Sequence, residues 1–321
     1  MDYIVLDYIL LIGGFILLIK GADFFVEGAS SIAATLRVPP LIIGLTIVAF
    51  GTSAPELAVS ITSAISGKNA IAIGNVIGSN IFNILVVVGM SAIIWPLKVQ
   101  KTILFKEFPY TLLAAVVLLI LGLDIPFQGQ NANYIGQADG MILLIFFGMF
   151  IYYLFEVALL ARQSNEPEEE IETMPMGKSI IFSIAGALGI MLGGDWVVDA
   201  ATNIAITWGM TEGMVGLTIV AIGTSLPELV TSIVAAKKGQ SDMALGNVIG
   251  SSIFNIFLIL GVSTVINPIP VTDAVMTDII IMITTIAVAY AIALAQKSIG
   301  RIAGSCFLVA YVSYMAYVLM R

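Results

Sequence analysis

Residues 44–61 read GLTIVAFGTSAPELAVSI, and a nearly identical stretch, GLTIVAIGTSLPELVTSI, occupies residues 216–233. The pairing continues downstream, where residues 73–85 read IGNVIGSNIFNIL and residues 245–257 read LGNVIGSSIFNIF. Both pairs are separated by one offset, since 216 − 44 = 172 and 245 − 73 = 172. Similarity at a fixed offset is typical of an internal duplication. The sequence therefore consists of two related halves, each with one copy of both stretches.

The chain around these stretches is far more apolar than a soluble protein. Of its 321 residues, 59% are hydrophobic and 11% are charged, whereas a soluble domain is charged at about one residue in four. A membrane-spanning helix requires about 20 mainly apolar residues, and apolar stretches of that length follow one another almost from end to end. We therefore expect an all-α, polytopic membrane protein with ten transmembrane helices. The predicted spans are 4–22, 38–66, 70–95, 107–123, 140–160, 179–207, 212–236, 242–267, 274–295 and 301–320.

The duplicated unit is predicted to contain five of these spans. Residues 21–33 and 193–205 also align at the offset of 172, so the duplication reaches the first span of each half. An odd number of spans places the two copies in opposite orientations, which is the inverted repeat of many secondary transporters. The predicted divisions are an N-terminal five-span repeat (1–162), an acidic cytoplasmic linker (163–177) and a C-terminal inverted repeat (178–321).

The basic residues indicate the orientation in the membrane. With ten spans both termini lie on one side, and only Lys68 and Arg321 lie with them. The other basic residues fall on the opposite side: Lys20, Arg37, Lys98, Lys101, Lys106, Arg162, Lys178, Lys237, Lys238, Lys297 and Arg301. Because cytoplasmic loops carry the excess of Lys and Arg, we expect both termini outside the cell, in a multi-pass protein of a prokaryotic plasma (inner) membrane. The first residues lack a basic segment, so the first apolar stretch is predicted to be a retained span and not a signal peptide.

The composition also argues against several classes of function. Histidine is absent and Cys306 is the single cysteine, which excludes histidine-based zinc sites, serine–histidine catalysis and an internal disulfide. The formal net charge of −8 argues against nucleic acid as a partner. We expect no enzymatic activity, no cofactor and no obligatory protein partner, and we expect the lipid bilayer as the surroundings.

Each half contains the pattern Gly-Thr-Ser-x-Pro-Glu, which ends at Glu56 in the first half and at Glu228 in the second. Glycine loosens a helix and proline removes a backbone donor, so the second span of each half is predicted to break there. Carbonyls upstream of the breaks, those of Ala49 and Ala221, are expected to become available as ligands. Irregular backbone is tolerated at membrane depth only beside protein or a water-filled cavity, so the breaks are the expected place for a polar site.

Oxygen-bearing side chains accompany the two glutamates at helical spacing. Thr52 and Glu56 lie four residues apart on one helix face, and Ser79 and Asn83 repeat this spacing on the next span. The counterparts in the second half are Thr224, Glu228, Ser251 and Asn255. Carboxylate, amide and hydroxyl oxygens without nitrogen or sulfur donors suit a hard cation such as Ca²⁺ or Na⁺, and they suit zinc or copper poorly.

Other interpretations apply to several of these residues. A membrane-embedded glutamate can pair with a basic residue, but no Lys or Arg falls inside a predicted span near Glu56 or Glu228, which favours an ion site. Asn83 and Asn255 can instead hydrogen-bond between helices. Four glycines have the GxxxG spacing of close helix packing: Gly74, Gly78, Gly246 and Gly250.

Acidic residues outside the repeated stretches are expected to have minor roles. Those near the ends of the first and sixth spans are predicted to be interfacial or to attract cations: Asp23, Glu27, Asp195 and Asp199. The acidic run at 166–172 is predicted to be a solvated connector.

The two GTSxPE stretches and the two GNVIGSxIFN stretches resemble the signature segments of the cation/Ca²⁺ exchanger superfamily, and in particular those of compact prokaryotic sodium/calcium exchangers. The resemblance covers the whole chain and implies four cation positions between the second, third, seventh and eighth spans, one for Ca²⁺ and the others for Na⁺. It implies Glu56 and Glu228 as bidentate central ligands beside Asn83 and Asn255. The implied flanking ligands are Thr52, Ser53, Ser79 and the Ala49 carbonyl on one side, and Thr224, Ser225, Ser251 and the Ala221 carbonyl on the other.

The chain departs from the wider family at two places. Asn255 stands where some members have an aspartate associated with K⁺ dependence, which argues against K⁺ cotransport and slightly against proton coupling. The 163–177 linker is too short for the regulatory insert of the animal exchangers. The expected function is therefore Na⁺/Ca²⁺ antiport by alternating access, with Ca²⁺/H⁺ exchange on the same fold and a cation channel as the alternatives.

Overall fold

The computed structural model describes residues 2–125, 132–163, 173–209 and 221–320 of the chain. Nearly all of these residues are helical, as the apolar composition predicts. The helices are α1 (Asp2–Leu36), α2 (Pro40–Thr52), α3 (Ala54–Ile65), α4 (Asn69–Ile94), α5 (Ile103–Leu121), α6 (Gln137–Gln163), α7 (Met176–Thr207), α8 (Ala221–Gly223), α9 (Leu226–Lys237), α10 (Ser241–Ile266), α11 (Asp273–Gln296) and α12 (Arg301–Met320).

Eight helices in these ranges are long and apolar enough to cross a membrane, and the bent pair of α2 and α3 makes a ninth. The protein is thus a helical membrane protein. The predicted seventh span, 212–236, begins outside the described residues and continues in them as α8 and α9. The acidic run at 166–172 also lies outside them.

The first helix is longer than predicted. α1 continues to Leu36, whereas the sequence suggested a span ending near residue 22. Lys20 interrupts the apolar run but does not stop a helix, and the chain turns only at Arg37, whose φ of 53° is left-handed. Lys20 therefore lies in the middle of α1 and not near its end, so it gives weaker evidence on orientation than the sequence suggested.

The helix break predicted at the Gly-Thr-Ser-x-Pro-Glu pattern is present in the first half. α2 and α3 meet at Ser53 with a bend of 49° between them. Pro55, in the first turn of α3, cannot donate a hydrogen bond to the carbonyl of Gly51 four residues upstream. Pro227 occupies the matching position at the start of α9. Both proline patterns therefore begin a new helix.

Wide turns of the π type interrupt several of the long helices. In α4 the turn covers Asn83–Val87, and in α10 it covers Phe254–Leu260. Similar turns lie in α2 at Gly44–Val48 and at the start of α5 at Ile103–Glu107. Such turns insert an extra residue into the helix and are frequent at functional sites.

α1 and α7 pack along a seam of glycines. A Cβ atom at Gly21 would lie 2.7 Å from the backbone nitrogen of Ile190, and one at Gly186 would lie 2.5 Å from that of Phe25. Only glycine permits so close an approach of two helix backbones. The glycines of this seam repeat every seven residues on each helix: Gly14, Gly21 and Gly28 on α1, and Gly186 and Gly193 on α7.

α4 and α10 form the interior of the molecule, with most of their residues buried. Gly246 and Gly250 of α10 contact α2 closely, and a Cβ at Gly246 would lie 2.8 Å from the carbonyl oxygen of Leu41. This confirms the close packing predicted for these two glycines. At Gly74 and Gly78 no atom of the described residues lies within 4 Å of an added Cβ, and the second-half segment that corresponds to α2 is mostly outside those residues.

Two short antiparallel strand pairs join the halves. β1 (Leu97–Lys98) pairs with β4 (Ser298–Ile299), and β2 (Tyr134–Ile135) pairs with β3 (Ile269–Pro270). Each pair takes one strand from the first half and one from the second. Two halves related by a twofold axis would exchange strands in this way.

Candidate cation site

Glu56 and Glu228 lie in the first turns of α3 and α9, directly after the two helix breaks. Neither residue has any exposed surface. Each carboxylate accepts a hydrogen bond from the serine of the opposite half: Ser225 Oγ donates to Glu56 Oε1 at 2.9 Å, and Ser53 Oγ donates to Glu228 Oε1 at 2.8 Å. The breaks of the two halves therefore interlock in the interior and bring the two carboxylates together.

One oxygen of each carboxylate remains unpartnered. Glu56 Oε2 and Glu228 Oε2 are buried and have no hydrogen-bond partner among the described residues. Among the described residues, the ion pairs join Lys238 to Asp23 and to Glu27, and neither glutamate of the site takes part. Burying an uncompensated carboxylate costs several kcal/mol. The arrangement would therefore be stabilised by a cation held between the two free oxygens.

Further hydroxyl groups surround the carboxylates. Ser251 Oγ of α10 donates to Glu228 Oε1 at 3.3 Å, and Ser79 Oγ of α4 lies 3.2 Å from Ser225 Oγ. Thr224, which directly precedes Ser225 in the sequence, is also buried. The remaining predicted ligand of this half begins α8, at the edge of the described residues: Ala221.

The carbonyl of Ala49 is not freed by the helix break, contrary to the prediction. It accepts the backbone N–H of Ser53 at 3.0 Å, and the hydroxyl of Thr52 lies 3.3 Å from it. The reason is positional, because Pro55 withdraws a donor only from Gly51, four residues upstream. A carbonyl oxygen has two lone pairs, so Ala49 retains one, and either the Thr52 proton or a cation can take it.

Asn83 and Asn255 lie in the wide turns of α4 and α10. α9 contacts the wide turn of α4, and α3 contacts that of α10, so the turn that carries each asparagine packs on the glutamate-bearing helix of the opposite half. Asn255 Nδ2 donates to Asn80 Oδ1 at 3.3 Å. Asn255 Oδ1 and both amide atoms of Asn83 are buried without a partner in the described ranges. Two amide oxygens are thus available in addition to the carboxylate oxygens.

Two asparagines that the sequence analysis did not single out lie behind the glutamates. Asn75 Nδ2 donates to the backbone carbonyl of the α3 glutamate at 3.2 Å and to Ser60 Oγ at 2.9 Å. Asn247 Nδ2 donates to the backbone carbonyl of the α9 glutamate at 3.4 Å and to Ser232 Oγ at 2.9 Å. The two contact sets are 172 residues apart. The repeat itself was therefore the signal that could have found them, since both asparagines stand in the duplicated stretches.

The acidic residues outside the repeated stretches lie apart from these contacts. Asp23 and Glu27 lie within α1, which extends beyond its predicted limit. Lys238, which follows α9, contacts Asp23 Oδ1 at 2.5 Å and Glu27 Oε2 at 4.0 Å. This ion pair ties α1 to the end of the helix that carries Glu228. The corresponding residues of the second half lie on α7: Asp195 and Asp199.

Comparison with protein families gives the same picture. A family model described as sodium/calcium exchanger protein matches residues 6–156 and residues 178–320. The chain belongs to the sodium/calcium exchanger family. The two matched segments coincide with the two halves of the duplication, and together they leave out little more than the linker and the chain ends.

Individual relatives of this exchanger-family protein align along most of its length. The putative antiporter CaxA of Alkalimonas amylolytica is 37% identical, and the alignment covers 94% of this chain and 95% of CaxA. The sodium/calcium exchanger MaX1 of Methanosarcina acetivorans is 34% identical, with 84% and 86% covered. The inner membrane protein YrbG of Escherichia coli is 38% identical, with 81% and 79% covered. These relatives thus include a putative antiporter and a sodium/calcium exchanger, and one is named for the inner membrane.

A solved structure has the same fold. The sodium-calcium exchanger NCX_Mj, in crystals soaked with Na⁺ and Sr²⁺, matches with a TM-score of 0.84 at 34% identity over 98% of this chain and 99% of that one. Family and fold together support exchange of Ca²⁺ for another cation as the activity of this protein.

Proposed function

We propose that this protein is a secondary active antiporter that exchanges Na⁺ for Ca²⁺ across the membrane by alternating access. The observation that carries the proposal is the pair of fully buried carboxylates, Glu56 and Glu228. Each has one oxygen hydrogen-bonded across the halves and one oxygen without a partner among the described residues. A buried carboxylate pair without a basic partner depends on a bound cation to compensate its charge, whereas an ion-paired carboxylate does not.

The proposed ligands are oxygen atoms on both sides of the two carboxylates. Ca²⁺ takes 6 to 8 oxygens at about 2.3–2.6 Å, more than two carboxylates can supply, so neutral oxygens must complete its coordination. The full proposed set is Glu56, Glu228, Asn83, Asn255, Thr52, Ser53, Ser79, Thr224, Ser225, Ser251 and the carbonyls of Ala49 and Ala221. We place this site near the midplane of the membrane, where the broken helices of two inverted repeats meet.

Charge balance makes the exchange obligatory. Without a cation the two ionised glutamates leave a charge of about −2 in a low-dielectric interior, and burying bare charge costs several kcal/mol. One Ca²⁺ cancels this charge, and so do several Na⁺. The loaded forms therefore convert readily between inward- and outward-facing states, whereas the empty form converts slowly.

The burial of the site supports a carrier over a channel. Thr52, Ser53, Glu56 and Glu228 are each less than a tenth exposed, so the described residues close the site off from solvent in this conformation. An alternating carrier requires such a closed state between its two open ones. A channel would instead need a continuous path along the same residues.

The coupling ion is the finer part of the proposal. Na⁺ suits a set made mainly of hydroxyl, amide and carbonyl oxygens, and Asn255 contributes an amide where an acid would add a third carboxylate able to carry a proton. MaX1 and NCX_Mj are named as exchangers of sodium and calcium. These observations favour Na⁺ over H⁺.

The test is uptake of ⁴⁵Ca²⁺ into proteoliposomes under an outward gradient of Na⁺, H⁺ or K⁺, applied one at a time. The Glu56→Gln/Glu228→Gln double variant gives the background leak. We expect saturable uptake with the Na⁺ gradient and background levels with the other two. Uptake driven by H⁺ alone would establish Ca²⁺/H⁺ exchange instead, and uptake without any counter-ion would establish a channel.

A further inference from the structure

We infer that Asn247 is a positioning residue of the cation site, which directs the Thr52 hydroxyl so that its oxygen and the Ala49 carbonyl both face a cation. The inference rests on the proposed function and deepens it, because it names a residue that controls ligands without being one. Asn247 lies on α10 and Thr52 on α2, so the control is exerted by one half of the molecule on the other.

The contacts of Asn247 use its whole amide group. The residue has no exposed surface. Its Nδ2 donates to the backbone carbonyl of Glu228 at 3.4 Å and to Ser232 Oγ at 2.9 Å, and its Oδ1 accepts from Thr52 Oγ1 at 3.0 Å. Both amide protons and the amide oxygen are thus engaged. Protein contacts thus hold the Asn247 amide in one orientation, and we assign it no place among the ligands.

These contacts fix which group donates and which accepts in the series of hydrogen bonds from Glu228 through Asn247 to Thr52. A backbone carbonyl can only accept, so the amide nitrogen of Asn247 must face the carbonyl of Glu228. The amide oxygen must then face Thr52. Because that oxygen also can only accept, the Thr52 hydroxyl must donate its single proton to it. The lone pairs of the Thr52 oxygen are consequently left for another partner.

The same direction of donation leaves the second lone pair of the Ala49 carbonyl available to a cation. Thr52 Oγ1 lies 3.3 Å from the carbonyl oxygen of Ala49, which already accepts the N–H of Ser53. A threonine hydroxyl in a helix commonly donates backward to such a carbonyl, and here that bond would occupy the second lone pair of Ala49. The 3.0 Å bond to Asn247 takes the proton away instead. Without Asn247, Thr52 would turn toward Ala49 and two oxygens would be lost to the site together.

The effect should fall mainly on Na⁺. In the proposed site Thr52 and the Ala49 carbonyl serve a flanking position, whereas the two glutamates hold the centre. A central Ca²⁺ keeps both carboxylates when Asn247 is replaced. A flanking Na⁺ carries half the charge of Ca²⁺ and depends more on neutral oxygens, so two misdirected oxygens weaken its binding more.

The test is a double-mutant cycle with Asn247→Leu and Thr52→Val, which remove the amide and the hydroxyl at similar volume. The readouts in proteoliposomes are the Na⁺ and the Ca²⁺ concentrations for half-maximal exchange. We expect Asn247→Leu to raise the half-saturating Na⁺ concentration by about threefold to tenfold, the range for one lost hydrogen bond, and to change the Ca²⁺ value by less than about twofold. In the Thr52→Val background, Asn247→Leu should add nothing.

Ser232→Ala is the matched control, because it removes another contact of Asn247 and leaves the bond to Thr52. If Asn247 only braces α9 against α10, Ser232→Ala and Asn247→Leu will have similar effects on Na⁺ dependence, or the effects of Asn247→Leu and Thr52→Val will multiply. Either result overturns the inference while the proposed function stands. A parent protein without Na⁺-driven Ca²⁺ flux refutes the proposed function and the inference together.

Discussion

Replacing either central glutamate with glutamine separates the role of charge from that of shape. In Glu56→Gln, the hydroxyl of Ser225 can still donate to the amide oxygen, as it does to Glu56 Oε1 at 2.9 Å. The contact between the two halves is therefore retained. What changes is the unpartnered oxygen, Glu56 Oε2, which becomes an amide nitrogen that repels a cation. Glu228→Gln makes the same change beside Ser53.

The magnitude follows from the lost charge. Two unit charges about 4 Å apart interact by about 4 kcal/mol at an effective dielectric constant of about 20. Because roughly 1.4 kcal/mol corresponds to a tenfold change in affinity, the loss amounts to some hundredfold or more in Ca²⁺ affinity after relaxation of the site. The two variants should suffer comparably, since each glutamate has an equivalent serine contact. Both should fold, because a neutral amide is easier to bury than a charge.

The assay measures the half-saturating Ca²⁺ concentration for Na⁺-driven exchange in proteoliposomes, with melting in detergent as the check on folding. Glu107→Gln is the matched control: Glu107 is also buried, accepts from Tyr153 Oη at 2.6 Å and has an unpartnered Oε2, but it lies on α5 outside the site. We expect parental Ca²⁺ dependence for this variant. Near-parental exchange by a folded Glu56→Gln or Glu228→Gln protein, or a loss in only one of the two, would refute the reasoning.

Three further predictions concern orientation, the amide ligand and the helix seam. In a protein with Cys306 replaced by Ser, a cysteine placed in the 163–177 linker should be labelled from the cytoplasm by an impermeant maleimide, and labelling from outside would reverse the predicted orientation. Asn255→Ala should weaken cation binding without new pH sensitivity, whereas Asn255→Asp should keep transport and add pH sensitivity; parental kinetics at limiting Na⁺ and Ca²⁺ in the alanine variant would reduce Asn255 to a packing role. Gly186→Ala should lower the melting temperature by an amount equivalent to about 1–3 kcal/mol, because its Cβ would meet the α1 backbone, while Gly177→Ala, where no described atom lies nearby, should not; equal melting would contradict a tight seam.

Much of the site could be anticipated because the duplication supplies an internal comparison. A single glutamate after a proline has several possible roles. The same pattern at the same offset in both halves indicates paired carboxylates. The hydrogen bonds of Ser53 and Ser225 across the halves could not be read in this way. They depend on how the two breaks meet in space, which spacing along one helix does not describe.

Three features that the sequence does not predict correctly each have their own physical cause. The sequence predicts a free Ala49 carbonyl because the helix breaks downstream, yet the carbonyl that loses its donor at Pro55 is that of Gly51. Asn75 and Asn247 bond to backbone and to serines. Residue spacing along one helix does not predict such contacts, and the match of the two asparagines at the offset of 172 is what marks them. The predicted first span, 4–22, is shorter than α1 because the run of apolar residues sets the predicted length, whereas a helix can continue through polar residues whose side chains extend toward water.

The glycine seam holds together two helices that are much longer than the membrane is thick. At about 1.5 Å per residue, the 35 residues of α1 extend about 52 Å and the 32 residues of α7 about 48 Å, against a hydrocarbon layer of about 30 Å. A tilt of about 40°, the upper end for membrane helices, still leaves α1 spanning about 40 Å. The pair must therefore project into the headgroups or thicken the bilayer around it. Because the seam obliges both helices to adjust together, lipids of different acyl-chain length should alter the rate of exchange while the ligands of the site stay the same.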